Sequence, residues 1–226
     1  MSLFNCCVAP HRAVIVADTQ LAAPDEGGAY ADIGHGSKIT VLPHLHAVFV
    51  SRGLCNPLAR LSGWLLYPED DKLDSVAIKL QSYIEEILDE PEDEATASDP
   101  LQTDLRVSAV LVGWHPPLKS CVAFDFMNRV TRAKFWGQAF DRAPFIGAWA
   151  HLPDEDKDRA REIGRRGMVE PNLDDALELA RIQYAHFDDD MRSRGCGGHL
   201  TAVEIDQSGL RVQLVRDFFA DLEAAG

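Results

Sequence analysis

Three residues near the start of the chain have side chains that could carry out chemistry together, namely Ser2, Asp18 and Lys38. We expect Met1 to be removed, because Ser2 is small, and we expect no propeptide before Ser2. A serine that begins a chain carries a hydroxyl and a free α-amine, whose pKa of about 7.7–8.0 lets it act as a base near neutral pH. Because a serine hydroxyl is a weak nucleophile without a base, this arrangement predicts nucleophilic catalysis at Ser2.

Lys38 and Asp18 are the charged residues that could support this reaction. A buried ammonium at Lys38 would favour the developing alkoxide and lower the pKa of the α-amine. Burial of a lone lysine is unfavourable, and Asp18 is the partner that would offset that penalty. Each residue also has an ordinary explanation, because serine often follows Met1, aspartate often caps a turn and a lysine before a strand is usually solvated. The joint spacing of the three residues favours the catalytic interpretation.

Short apolar strands must position Asp18 and Lys38. Residues 2–9 and 12–18 are rich in β-forming side chains and predict a hairpin that turns at Pro10 and His11 and ends on Asp18. Lys38 begins a third predicted strand, Ile39 to Leu42, and a fourth covers residues 46–51.

The remaining chain alternates between groups of strands and pairs of helices. Glycine and proline predict a loop over residues 20–36, and an acidic stretch predicts an exposed loop over residues 90–99. Helical spacing of apolar residues predicts helices over 56–67 and 72–89. Further helices are expected over 154–167 and over 173–191, where Asn172 and early acidic residues signal the start, and a short helix is expected at the end of the chain. The other predicted strands cover residues 105–113, 120–125, 130–136, 200–205 and 210–215. Pairs of helices between groups of strands predict one α+β domain over residues 1–226, built in layers rather than from βαβ units.

Composition narrows the classes of function. The formal net charge of −14 argues against nucleic-acid binding, which depends on basic side chains that neutralise phosphates. No apolar run approaches the roughly 18 residues of a membrane span, and the first residues lack the pattern of a signal peptide. The five cysteines, an odd number without a framework spacing, fit a reducing compartment in which thiols act as small apolar residues. We therefore expect a cytoplasmic protein that binds neither nucleic acid nor membrane.

Three sequence segments carry a resemblance to a known family. They are a V-x-A-D segment that ends at Asp18, a K-I-x-x-L strand start at Lys38, and a strand over residues 47–51 that ends in a small residue. In these segments the chain resembles the proteasome β-type peptidases and their bacterial relatives, within the N-terminal-nucleophile (Ntn) hydrolases. The resemblance covers residues 2–53, and a gap-free alignment from Asp18 puts the nucleophile of the family at Ser2.

The resemblance implies a fold and a set of site residues. The fold would be the four-layer αββα sandwich of Ntn hydrolases, with Ser2, Asp18 and Lys38 as catalytic residues and no metal or cofactor. The glycine whose N–H binds the oxyanion in this family aligns with Arg52, and a one-residue shift restores Gly53. Near the end of the chain, the acid and the serine that support the family's site align with Ser193 and Cys196, just before the glycine pair that begins at Gly197.

The resemblance also implies an activity and an assembly. We expect a peptidase that cleaves amide bonds in peptides and assembles into a homo-oligomer, in the manner of the family's rings. Two alternatives stay open at this point. One is a non-catalytic structural or interaction subunit of the same fold, and the other is a monomeric or dimeric Ntn amidase that acts on a small amide.

Overall fold

The computed structural model of the chain describes residues 3–24, 30–52, 55–67, 71–89, 108–127, 134–136, 152–187 and 196–225. The helices in these ranges are α1 (Cys55–Leu66), α2 (Leu73–Asp89), α3 (Asp154–Val169), α4 (Leu173–Ala185) and α5 (Phe218–Ala225). The strands are β1 (Phe4–Ala9), β2 (Arg12–Asp18), β3 (Gln20–Pro24), β4 (Tyr30–His35), β5 (Ile39–Leu42), β6 (Ala47–Arg52), β7 (Ser108–His115), β8 (Ser120–Met127), β9 (Lys134–Trp136), β10 (Leu200–Asp206) and β11 (Gly209–Val215). The prediction of a mixed α+β fold is confirmed.

A four-stranded antiparallel sheet contains the hairpin at the start of the chain. Its strand order is β1-β2-β10-β11, so β1 lies at one edge and β2 lies inside. The predicted turn at Pro10 and His11 joins β1 to β2, with Ala9 paired with Arg12. The hairpin over β10 and β11 also agrees with the sequence prediction, and β10 places Leu200 beside Asp18.

A five-stranded antiparallel sheet follows the order β5-β6-β7-β8-β9. Short 3-10 helices join β5 to β6 and β7 to β8, and each begins at a proline, whose fixed φ suits a first helical position. His46 and Lys119 end these turns in the left-handed conformation, with φ of 50° at both residues. This sheet places Lys38 immediately before its edge strand β5.

The predicted loop over residues 20–36 is wrong in its larger part, because β3 and β4 form a separate two-stranded antiparallel sheet there. The register shifts between Leu21 and Ala22, so that Ile33 is an additional residue between the paired positions Asp32 and Gly34. Gly34 has a φ of 118°. A glycine at such a position marks a β-bulge as readily as it marks a loop, and the sequence prediction chose the loop.

Separate groups of buried apolar residues connect the sheets and helices. One group joins the inner faces of the two large sheets, and its members include Ile15 of β2 and Val110 of β7. A second group joins the other face of the five-stranded sheet to α1 and α2. The outer face of the four-stranded sheet packs on α3 and α4 through smaller groups that contain Cys7 and Val16. Asp18 and Lys38 therefore lie on two sheets that pack directly against each other.

The predicted helices agree with the structure at their starts, each within one residue. Asn172 caps α4 as predicted, because its side chain accepts a hydrogen bond of 2.8 Å from the N–H of Asp175. The predicted end of α4 at residue 191 is wrong, because the helix ends at Ala185, where the N–H of His186 binds the carbonyl oxygens of Gln183 and Tyr184 in a tighter turn. The predicted loop over 90–99 and parts of the predicted strands over 105–113 and 130–136 lie outside the described residues. Within the part of the chain that the structure describes, no helix has the length and apolar character needed to cross a membrane.

Candidate functional site

Asp18 and Lys38 form a buried ion pair. Nζ of Lys38 lies 2.6 Å from Oδ2 of Asp18, and the side chains of Lys38 and Asp18 are 8% and 0% exposed. Asp18 ends β2 of one sheet, whereas Lys38 precedes β5 of the other, so the pair joins the two sheets at one end. The predicted contact between these two residues is present, at 20 residues apart in sequence.

The carboxylate of Asp18 accepts two further hydrogen bonds, both from backbone N–H groups. Oδ1 accepts from the N–H of Leu3 at 2.8 Å, and Oδ2 accepts from the N–H of Gly197 at 3.1 Å. Backbone pairing also joins Leu3 to Asp18, since the Asp18 N–H donates to the Leu3 carbonyl at 3.1 Å. A single carboxylate thus holds together the start of the described chain, Lys38 and the segment before β10.

Burial dominates the electrostatics of this carboxylate. Removal from water raises the pKa of Asp18 above its ordinary value of 3.8, while the Lys38 ammonium and the N–H groups of Gly197 and Leu3 lower it. A buried carboxylate without such donors would be far less favourable, because ionised groups lose most of their hydration on burial. The three donors therefore support a charged Asp18 in a dry environment.

Ser2 lies outside the described residues, as do Gly53 and Ser193. The neighbouring residue Leu3 is 1% exposed, and its peptide nitrogen is bonded to the carbonyl carbon of Ser2. The Leu3 N–H is the group that Asp18 binds. The structure therefore brings the peptide bond that follows Ser2 to the same carboxylate as Lys38.

The structure places some of the residues predicted to support the site close to Asp18 and leaves the role of others untested. Gly197 is in the site, because its N–H binds Asp18. Cys196 is a free thiol, 1% exposed, and burial and then the nearby Asp18 charge raise the pKa of this thiol well above its ordinary value. The structure describes only the backbone of Arg52, which pairs with Ser108 at the end of β6. A role for Arg52 or Gly53 at an oxyanion stays a prediction.

Sequence reasoning missed a cluster directly beside Asp18. The hydroxyl of Thr19 accepts a hydrogen bond of 3.0 Å from the N–H of His199, and it lies 3.4 Å from Nδ1 of His35. The two imidazole rings stack, with centroids 5.3 Å apart and planes at 21°. The cluster encloses Gly198, because a Cβ there would lie 2.5 Å from Nδ1 of His35. This contact is a specific reason for glycine at position 198, where φ is 77°.

Backbone hydrogen bonds attach the segment 197–199 to the end of β2. The N–H of Thr19 lies 3.0 Å from the carbonyl oxygen of His199, and the N–H of Gln20 lies 3.1 Å from that of Gly197. The sequence signal nearest to this cluster was the glycine pair at Gly197 and Gly198. His35 was assigned to a loop, and His199 stands 180 residues from Thr19.

Three buried cysteines besides Cys196 are poor candidates for a nucleophile. Cys6, Cys7 and Cys121 are free thiols with no exposed surface. Burial raises the pKa of Cys7 and of Cys121 to about 12, so these thiols stay protonated near neutral pH. Their sequence interpretation as small apolar residues is confirmed.

The described side chains also give no metal site, since no group of three or more His, Cys, Asp or Glu residues among them could hold an ion. No family model matches the chain, and no curated protein matches it at a significant level. The chemistry must therefore be argued from the residues around Asp18. Their arrangement supplies a buried positive charge held at a fixed position next to the start of the chain.

Proposed function

We propose that this chain is an Ntn hydrolase of the four-layer αββα type that cleaves amide bonds in peptides. The observation that carries the proposal is the buried carboxylate of Asp18, which binds both Lys38 and the peptide N–H that follows Ser2. A serine nucleophile at a chain start needs a base and a nearby positive charge. Ser2 would supply the base through its own α-amine, and Lys38 would supply the charge.

The proposed reaction has two stages. In the first, Oγ of Ser2 attacks the carbonyl carbon of the substrate amide while its proton moves to the α-amine. The C–N bond then breaks, the α-ammonium gives the proton to the leaving amine, and an ester between Ser2 and the acyl group remains. In the second stage the α-amine takes a proton from water, which attacks the ester and releases the acid. Ser2 recovers its proton at the end of this stage.

Lys38 and Asp18 act through charge and position. The ammonium of Lys38 favours the developing negative charge on Oγ of Ser2, and burial makes this interaction stronger than it would be in water. Asp18 orients Lys38 through the 2.6 Å contact. The reaction also requires the removal of Met1, because a peptide nitrogen at Ser2 would have no basic lone pair.

The packing of the sheets and helices supports the proposed four-layer arrangement. The two large sheets share one apolar group between their inner faces. On their outer faces, the five-stranded sheet packs on α1 and α2 and the four-stranded sheet packs on α3 and α4. Helix, sheet, sheet and helix in this order are the layers that the resemblance implies.

Hydrolysis of fluorogenic peptide amides tests the proposal. We expect the protein to release the fluorophore, Ser2→Ala to abolish the release, and Lys38→Met to lower kcat by about 100-fold or more. The control is Lys157→Met, because Lys157 pairs with the exposed Asp154 at the start of α3 and its loss should not alter kcat. Circular dichroism checks that each variant is folded.

Two outcomes would replace the proposal. Hydrolysis of small amides but not of peptides, still dependent on Ser2, would assign the chain as a small-amide Ntn amidase. If the folded protein begins at Ser2 but shows no hydrolysis that Ser2→Ala abolishes, the chain is a non-catalytic subunit of the same fold.

A further inference from the structure

A buried amide pair joins β1 to α4 on the outer face of the four-stranded sheet. Nδ2 of Asn5 donates a hydrogen bond of 2.8 Å to Oε1 of Gln183. The two residues are 0% and 1% exposed and stand 178 residues apart in sequence. The proposed reaction uses neither of them.

The hydrogen bonding of this pair is incomplete. Within the described part of the chain, Oδ1 of Asn5 and Nε2 of Gln183 have no hydrogen-bond partner. Buried polar atoms that lack a partner are unfavourable, and two apolar side chains of similar shape are often as stable as such a pair or more so. Stability alone therefore gives no reason for amides at both positions.

Apolar residues flank the pair along β1 and α4. Leu3 and Cys7 lie on the same face of β1 as Asn5, one on each side, because side chains alternate along a strand. Leu3 packs with Ala180 and Tyr184 of α4, while Cys7 packs in a separate group with Ile182. Apolar contacts have no direction, so they fix the distance between α4 and the sheet better than the position of the helix along it.

The pair joins β1 to α4, and each of these elements lies next to a segment that donates a backbone hydrogen bond to Asp18. Asn5 follows Leu3 by two residues on β1, and the Leu3 N–H binds Asp18. Gln183 lies near the end of α4, whose Ala180 and Tyr184 pack in one apolar group with Cys196, and the next residue, Gly197, donates its N–H to Asp18. A shift of α4 along β1 would therefore move one donor segment relative to the other.

We propose that Asn5 and Gln183 are positioning residues that set where α4 lies along β1, and that they thereby hold Leu3 and Gly197 around Asp18. The effect of this pair on the reaction rests on the proposed function of Ser2, whereas its effect on the Leu3 N–H does not. A directional contact in an otherwise apolar interface is a known way to specify one alignment, often at a loss of stability. In this protein the contact between Asn5 and Gln183 specifies how α4 is aligned with β1, near the start of the chain.

The test replaces both amides at once with apolar side chains of similar size, as Asn5→Leu with Gln183→Met. We expect the Tm to rise by about 2–4 °C. We expect hydrogen exchange at the Leu3 N–H to become at least about tenfold faster relative to the Val203 N–H in the middle of β10, which pairs with β2 and β11 and not with β1. A loosened alignment of β1 should open locally more often. Labelling of Ser2 by an electrophile should slow by about tenfold or more, since small misplacements reduce rates strongly.

Two controls separate position from repacking. The exchanged pair, Asn5→Gln with Gln183→Asn, keeps an amide contact of the same total length and should restore both the Leu3 exchange and the labelling rate. Ile182→Leu repacks the neighbouring apolar group without changing the amides and should leave both rates unchanged.

A fall in the Tm of the apolar double variant, or its failure to fold, would assign the pair to stability and overturn the proposal. Unchanged exchange at the Leu3 N–H in the folded double variant would overturn it as well. If the unmodified protein is not labelled at Ser2 but the double variant still speeds exchange at Leu3, the positioning role holds and the proposed hydrolase function fails.

Discussion

At the scale of single residues, the central group of the candidate site is the buried carboxylate of Asp18. Asp18→Ala should lower the free energy of unfolding by about 3–5 kcal/mol, because it leaves the Lys38 ammonium without its counter-charge in a buried position. Denaturation by urea measures this loss. The matched control is Asp158→Ala, which breaks an exposed pair with Arg161 and should cost less than about 1 kcal/mol. Equal small losses in both variants would mean that Asp18 and Lys38 are solvated.

The titration of Asp18 predicts how the activity depends on pH. Burial raises the pKa of Asp18 above 3.8, so Asp18 takes up a proton at a higher pH than an exposed aspartate does. Protonation removes the negative charge that pairs with Lys38. We expect the Ser2 labelling rate to fall first as the α-amine takes up a proton, and to fall again at a lower pH, above 3.8, as Asp18 takes up a proton. Only the second fall should disappear in Asp18→Asn, whose overall rate is low. A second fall that persists in Asp18→Asn would belong to another group.

The raised pKa of Asp18 also determines whether this carboxyl stabilises the fold more or less as the pH rises. Because the folded chain holds the Asp18 proton more tightly than the unfolded chain does, this carboxyl's contribution to the free energy of unfolding decreases as the pH rises from 3.8 through the raised pKa. The ion pair with Lys38 limits the decrease and does not reverse it.

Part of the candidate site could be predicted from the sequence, and the rest could not. Asp18 and Lys38 carry recognisable side chains at the ends of apolar strands, and their contact was predicted. The N–H groups of Leu3 and Gly197 carry no such signal, because every residue except proline has one. The stacked His35 and His199 come together only through tertiary structure, so local patterns give no information on their contact.

At the scale of elements, periodicity identified the helices and most strands. The helices α1 to α4 have apolar residues at helical spacing, because each helix buries one face against a sheet. The hairpin of β3 and β4 was missed, since its glycines and proline suggest turns and its short strands alternate poorly. Its backbone pairing and the bulge at Ile33 outweigh these local preferences.

A close approach between α3 and β1 gives a prediction about element packing. A Cβ at Gly167 would lie 2.7 Å from Sγ of Cys7, so Gly167→Ala should lower the free energy of unfolding by about 1–3 kcal/mol. Gly63→Ala in α1 is the control, because a Cβ there meets nothing within 4 Å, and it should stabilise the protein by about 0.5–1 kcal/mol. Both values come from thermal or urea denaturation.

Removal of the contacting sulfur tests the cause of the Gly167 effect. In the double variant Gly167→Ala with Cys7→Ala, the loss should be smaller than the sum of the two single losses, because the closest contact is gone. Simple additivity would show that the contact with Cys7 is not the reason for glycine at position 167.

At the scale of the whole molecule, we propose that the protein is a homo-oligomer that associates through the layer of α1 and α2. The large apolar side chains of Leu66, Tyr67 and Ile78 are 45%, 87% and 67% exposed in this layer. Light scattering should give a multiple of the 25.0 kDa chain mass, and Ile78→Glu should shift the population towards the single chain. Arg211→Glu on β11 is a charge control that should not alter the mass. A value of 25 kDa at micromolar concentration would contradict the proposal.

The central claim is that Ser2 begins the mature chain and acts as a nucleophile through its own α-amine. The most direct measurement is the intact mass of the purified protein before and after treatment with an electrophile specific for a 1,2-amino alcohol, such as an epoxyketone. We predict a chain that lacks Met1 and gains one adduct, and an Ser2→Ala variant that gains none. A chain that keeps Met1, or a chain that begins at Ser2 and gains no adduct, would contradict the account.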